Sequence, residues 1–295
     1  MPPVTLPDDL RHEYAEINGI RMHYVEAGQG DDVILFLHGF PESWYSWRHQ
    51  IAHFANRYRV VAPDQRGYNE TEAIGPYDTA TLQADVLALI QHLGVERVHL
   101  VAHDWGAMIA WLLAINHPEA LKSLTICNVP HPAIFAQQVR RNPRQMLRSW
   151  YVLFFQIPWL PEKVLAAQGY HRLARMIIRD TRPGTFTRED VKRMLEAWRR
   201  QGLGGGINWY RAAVRGRGMR LPDPVPLITT PTILIWGEDD IALGKELTYG
   251  TDEYVQDLTV HYLPNTSHWV QQEEPEAVNR FIEEHLRRVE ERVPA

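Results

Sequence analysis

A chain of 295 residues, 45% of them hydrophobic, is long enough to bury a large core and lies at the upper end of a single elaborated domain. A formal charge of -5 and the lack of a long Lys/Arg run give no general attraction for phosphate, so nucleic acid is not an expected partner. The single cysteine, Cys127, excludes an internal disulfide; set in the apolar run 124–127, it reads as a buried thiol in a reducing, cytoplasmic compartment.

Residues 1–10 carry prolines and aspartates where an export signal would need a basic start and an apolar stretch. Strands are expected at 20–25 and 33–37, the second a continuous apolar run of the kind a parallel strand buried on both faces needs. After His38-Gly39-Phe40-Pro41, the spacing of Trp44, Trp47, Ile51 and Phe54 predicts a helix, and residues 59–62 return to strand. The alternation continues with a helix at 82–93, a strand at 98–102, a helix at 105–116 and a strand at 124–129. Between 132 and 222 the strands stop. Arg-rich amphipathic helices follow, interrupted by Pro143, Pro158, Pro161, Pro183 and a glycine cluster at 202–206 that reads as a flexible connection. Strands return at 232–236 and 258–263, before a last helix at 275–289. The expected architecture is α/β: a mostly parallel sheet flanked by helices, split into 1–131 and 223–295, with an all-helical cap at 132–222. No apolar run reaches the ~20 residues a bilayer span takes, so no membrane partner is expected.

The joint between strand 98–102 and the next helix reads His103-Asp104-Trp105-Gly106. A sharp strand-to-helix turn that displays a nucleophile needs small residues two positions to either side, and Ala102 and Gly106 meet that need. The displayed residue is Asp104, and a carboxylate can attack carbon to form an ester; Asp is equally at home as a helix N-cap. A base decides between these roles. His268 follows the last strand, where loops at the sheet's carboxyl edge hold catalytic groups. Glu238, Asp239 and Asp240 follow the strand before it, completing the order nucleophile, acid, histidine; Asp240 is the first choice for the acid, Asp239 the second and Glu238 the third. At the end of strand 33–37, Gly39 permits unusual backbone angles, and the N–H of Phe40 would pair with that of Trp105 as an oxyanion hole.

Together these residues make a pattern: the chain resembles the soluble epoxide hydrolases of the α/β-hydrolase superfamily over nearly its full length. The match is carried by His38-Gly39-Phe40-Pro41-Glu42-Ser43, Asp64-Gln65-Arg66-Gly67-Tyr68, His103-Asp104-Trp105-Gly106 and His268-Trp269. Two cap motifs add to it, Tyr151-Val152-Leu153-Phe154-Phe155-Gln156 and Asn208-Trp209-Tyr210-Arg211. The resemblance gives Tyr151 and Tyr210 the role of hydrogen-bonding the epoxide oxygen. Two departures, Ala102 and Asn69 where relatives often have glycine, are both tolerable.

The resemblance implies that Asp104 opens an epoxide to form an ester, which water activated by His268 and Asp240 then cleaves to a vicinal diol. Trp105, Phe155, Pro41 and Trp269 are expected to contact a small apolar epoxide; no metal or organic cofactor is called for, and an exposed apolar face on the cap would serve a homodimer. A haloalkane dehalogenase would share Asp104 and Trp105 but leave the tyrosine pair unexplained. A fluoroacetate-type dehalogenase would want arginine where Trp105 and Met108 stand. A serine esterase lacks its serine, and a non-catalytic receptor would be expected to lose part of the triad.

Overall fold

The computed structural model describes residues 4–216 and 221–292. Among them eight strands form one sheet: β1 (Arg11–Ile17), β2 (Ile20–Ala27), β3 (Val33–Leu37), β4 (Arg59–Pro63), β5 (Val98–His103), β6 (Leu121–Cys127), β7 (Thr232–Gly237) and β8 (Leu258–Leu263). Their order is β1-β2-β4-β3-β5-β6-β7-β8. The pairs β1·β2 and β2·β4 are antiparallel, and all pairs from β4·β3 to β7·β8 are parallel.

Every residue of β3, β5 and β7 is buried, as strands covered by helices on both faces must be. Their side chains divide by simple alternation. Leu35, Leu37, Leu100 and Ala102 join one core with α2 (Thr79–His92) and α3 (Asp104–Asn116). Ile34, Phe36, Val101 and Ile235 join another with α1 (Arg48–Phe54) and α12 (Pro275–Glu290), the latter preceded by the short α11 (Val270–Glu273).

Among the described residues seven helices lie between β6 and β7: α4 (Pro132–Arg141), α5 (Pro143–Arg148), α6 (Trp150–Phe154), α7 (Leu160–Ala166), α8 (His171–Asp180), α9 (Arg188–Gln201) and α10 (Gly204–Arg215). At the start of α9, Thr187 and Asp190 cap each other's backbone N–H groups. The other oxygen of Asp190 pairs with the buried Arg48 at 3.0 Å and accepts from Tyr45 Oη at 2.9 Å, tying the insertion to the sheet domain. Among the described residues no helix is long and apolar enough to cross a membrane.

Three local expectations are revised. The glycine cluster is no flexible connection: Gly204–Gly206 open α10, and a Cβ on Gly205 would lie 2.2 Å from the Gly67 carbonyl oxygen. These glycines let helix backbone rest on loop backbone. β1, mostly exposed and polar, was not foreseen. β6 ends at Cys127 because Asn128 turns to φ 49° and directs its side chain into the site described next.

Candidate active site

Asp104 stands where β5 meets α3, with φ at 49°. A left-handed backbone at a residue other than glycine costs on the order of 1 kcal/mol or more and persists only where the surroundings enforce it. Here they do. A Cβ on Gly39 would come within 2.3 Å of the Asp104 Cβ, and one on Gly106 within 2.5 Å of the Leu37 carbonyl oxygen. The turn after β3 and the turn after β5 are thus fitted into each other, and the Phe40 N–H donates to Asp104 Oδ1 at 2.6 Å. Trp105 takes the next position, at the start of α3.

His268, in the loop after β8, brings Nε2 to 3.6 Å from Asp104 Oδ2 and Nδ1 to 2.7 Å from Asp240 Oδ2. Of the three acids weighed from sequence, Glu238 pairs with Lys245 and Asp239 is exposed, so only Asp240 reaches the imidazole. Asp240 is held by further donors: Asn128 Nδ2 and the N–H groups of Ala242 and Leu243, each at 2.8 Å. Burial alone would raise its carboxyl, but the charge and hydrogen bond of His268 and these donors hold it below its ordinary value. Asp104 behaves likewise: burial opposes ionisation, and the facing His268, the nearby His103 and the Phe40 N–H more than offset it. Burial would lower the imidazole of His268, yet Asp240 and Asp104 raise it well above its ordinary value. The two carboxyls on either side of His268 thus favour its protonated form, and it in turn favours their ionised forms.

Above Asp104 opens a cavity of about 710 Å³ that reaches solvent, lined by Trp105, Met108, Val129, Tyr151, Tyr210 and Val214 among others. Tyr151 comes from α6 and Tyr210 from α10, their ring centroids 5.9 Å apart; the Tyr210 ring meets the Trp105 edge at 5.0 Å. Burial, then the charge of Asp104, raises both phenols, so each keeps its proton. Among the described residues the Tyr151 hydroxyl has no protein hydrogen-bond partner.

The four residues expected to contact substrate part company. Trp105 lines this cavity. Phe155 packs behind both tyrosines, 5.8 Å and 4.9 Å from their ring centres, outside the lining. Pro41 and Trp269 line a different space of about 430 Å³, beside Arg48, Asp190 and Trp198. The Pro41 carbonyl accepts from the Trp198 indole, which holds that segment toward α9.

Three members of the site lay outside the sequence assignment. Asn128 links Asp240 to the Gly237 N–H, accepting from the latter at 2.9 Å. His103 bridges Glu42 Oε2 and the His268 carbonyl oxygen, both at 2.9 Å. Glu42 in turn accepts from Gln272 at 2.6 Å, which buttresses the catalytic loop from below. Glu42 and His103 stood inside quoted motifs, and their adjacency in the motifs was the available signal. His12, His23 and Glu70 offer metal-ligand atoms within 4.8 Å of one another on the antiparallel edge. Each already has partners: His12 with His23, His23 with Asp64, and Glu70 with Tyr14 and Arg200.

An Asp at a left-handed elbow, a histidine and acid behind it and a helical roof inserted after β6 define a class. The chain belongs to the α/β-hydrolase family, whose alpha/beta hydrolase fold matches residues 32–275, and it groups with the epoxide hydrolases of that family. It is 40% identical to human Epoxide hydrolase 4, over 95% of this chain and 81% of that protein. The AB hydrolase superfamily protein YfhM of Bacillus subtilis is 38% identical, over 95% and 99% of the two chains. A crystal structure of Bacillus megaterium epoxide hydrolase in complex with an inhibitor superposes with a TM-score of 0.86 at 33% identity, covering 93% of this chain and all of that one.

Proposed function

We propose that this protein converts an epoxide and water to a vicinal diol through an ester of Asp104, beneath a cap formed by residues 132–222 on a core of 1–131 and 223–295. The observation that carries this reading is one cavity with the Asp104 carboxyl on its floor and the phenols of Tyr151 and Tyr210 in its roof. Asp104 Oδ attacks a ring carbon, the C–O bond breaks, and Tyr151 and Tyr210 hydrogen-bond to the alkoxide as it forms. General-acid help of this kind is worth roughly 10²-fold to 10⁴-fold.

Ester formation removes the charge of Asp104, one of the two charges that keep His268 protonated. One phenol gives its proton to the alkoxide, His268 returns a proton to that phenoxide, and the imidazole, now neutral, takes a proton from the attacking water while Asp240 keeps its orientation through Nδ1. Water attacks the ester carbonyl, and the N–H groups of Phe40 and Trp105 receive the oxyanion. Asp104 is regenerated and the diol leaves. In that collapse of the tetrahedral oxyanion the imidazolium proton passes to the departing diol oxygen, and the proton left on the Asp104 carboxyl returns to His268. A small apolar epoxide suits the lining, and a cytoplasmic setting suits Cys127, whose thiol burial pushes far above its ordinary value.

The test is a parallel assay against a terminal aryl epoxide, reading diol, and a small bromoalkane, reading halide. Diol formation lost in Asp104→Ala, and reduced at least about 10²-fold in the double variant Tyr151→Phe/Tyr210→Phe, is the expected result. Halide release that needs Asp104 but survives loss of both tyrosines, with no diol from any epoxide, would make the protein a dehalogenase.

A further inference from the structure

The charge of the chain is unevenly spread. Residues 132–222 hold eighteen Lys and Arg against five Asp and Glu, whereas the rest holds thirteen against thirty-one. A net charge of -5 thus conceals a strongly basic cap on a strongly acidic core. Exposed apolar surface is concentrated in the same place. Of the fifteen large hydrophobic residues exposed among the described residues, seven fall between 146 and 164.

Met146, Leu147, Trp150 and Leu153 follow the i, i+1, i+4, i+7 spacing of one helical face across α5 and α6, and Leu147, Trp150 and Leu153 are 74%, 62% and 71% exposed. α6 is two-sided: Tyr151 and Val152 line the catalytic cavity while Trp150 and Leu153 face water. Val214, half exposed and lining the same cavity, marks its mouth. Around this face Arg141, Arg144 and Arg148 are exposed and have no carboxylate partner among the described residues. Lys163 lies 4.6 Å over the exposed Trp159 ring.

From these features we infer that the cavity-mouth face of the cap docks on an anionic lipid surface. Exposed Trp and Leu with unpaired arginines are what an interfacial helix presents to acidic headgroups, apolar side toward the acyl boundary. Lying on a surface needs no spanning segment. A second copy covering the same face would bring two strongly basic caps together, which like-charge repulsion disfavours. Docking requires no chemistry; its use, delivering lipid-dissolved epoxides straight into the cavity, rests on the reaction proposed above.

The experiment is flotation of the full chain with phosphatidylcholine vesicles, with and without phosphatidylglycerol, at low and at physiological salt, alongside light scattering of the protein alone. Diol formation from a water-soluble epoxide serves as the folding control. The protein is expected to float only with phosphatidylglycerol vesicles, less so in salt. Leu147→Ser/Leu153→Ser and Arg144→Glu/Arg148→Glu should each reduce partition on the order of tenfold while leaving turnover of the soluble epoxide intact. No flotation with phosphatidylglycerol vesicles at low salt overturns the inference. So does binding that depends on the arginines alone. A dimer in light scattering that Leu147→Ser/Leu153→Ser abolishes would instead assign the face to a second copy.

Discussion

Gly205→Ala separates the seating of α10 from its intrinsic helix preference. In an unencumbered helix, Gly to Ala stabilises by about 0.4–1 kcal/mol. At position 205 the added methyl would sit 2.2 Å from the Gly67 carbonyl oxygen and 2.5 Å from the Gly67 Cα, against backbone that cannot swing aside. Ordinary contact begins at 3.4 Å, so α10 must lift by more than about 1 Å, at a cost of about 1–3 kcal/mol typical of overpacking. Tyr210 rides on the same helix, and a 1 Å misplacement of a catalytic group can cost on the order of 10²-fold in rate. Gly204→Ala is the matched control, since its Cβ would meet nothing nearer than Glu162 Cγ at 4.0 Å. Single-turnover epoxide opening and thermal unfolding of both variants should show Gly204→Ala near wild type and Gly205→Ala both slower and melting a few degrees lower. Wild-type rate and melting temperature in Gly205→Ala would refute the argument that backbone contact with Gly67 positions the tyrosine.

Two further perturbations address the base and its surroundings. His268→Ala should leave ester formation possible and block its cleavage, so mass spectrometry should find the protein heavier by one whole epoxide, on Asp104. Unmodified protein after incubation with substrate would argue against a covalent route. Asp180, at the end of α8, has its carboxyl raised to about 6 by burial first and by the charge of Asp240 next. Above that pH its charge helps keep His268 protonated, so Asp180→Asn should move the acid limb of the hydrolysis profile to lower pH by some tenths of a unit. Because a raised carboxyl pKa costs stability as pH rises through it, the same variant should gain thermal stability above pH 6 and not below pH 4. An unshifted limb would place Asp180 outside the field of His268.

The sheet was legible because burial on both faces writes an unbroken apolar run, as in β3 and β7. β1 was not, since an exposed edge strand such as Arg11–Ile17 has no apolar run to read. The triad positions followed from the order of strands and loops, but the choice among Glu238, Asp239 and Asp240 had to be made by geometry, the last alone facing the imidazole. Neighbourhood in sequence sets Pro41 beside Phe40 and Trp269 beside His268, whereas in the fold both line the space beside Arg48. Glycines at 204–206 looked like looseness because composition carries no record of the Gly67 backbone they meet. Asn128 was silent for a similar reason, its role arising only when β6 and β7 lie side by side.

Asp104, His268 and Asp240 all stand on the sheet domain, whereas both phenols arrive on α6 and α10 of the insertion. On the mechanism proposed above, the two halves of the reaction fall to different parts of the chain: ring opening needs floor and roof together, ester cleavage the floor alone. Changes in the roof should therefore alter which epoxides are accepted and how fast they open while the discharge of the intermediate keeps its pace. Such a division lets the substrate range drift by trial in seven helices, with the step common to all substrates held constant beneath them.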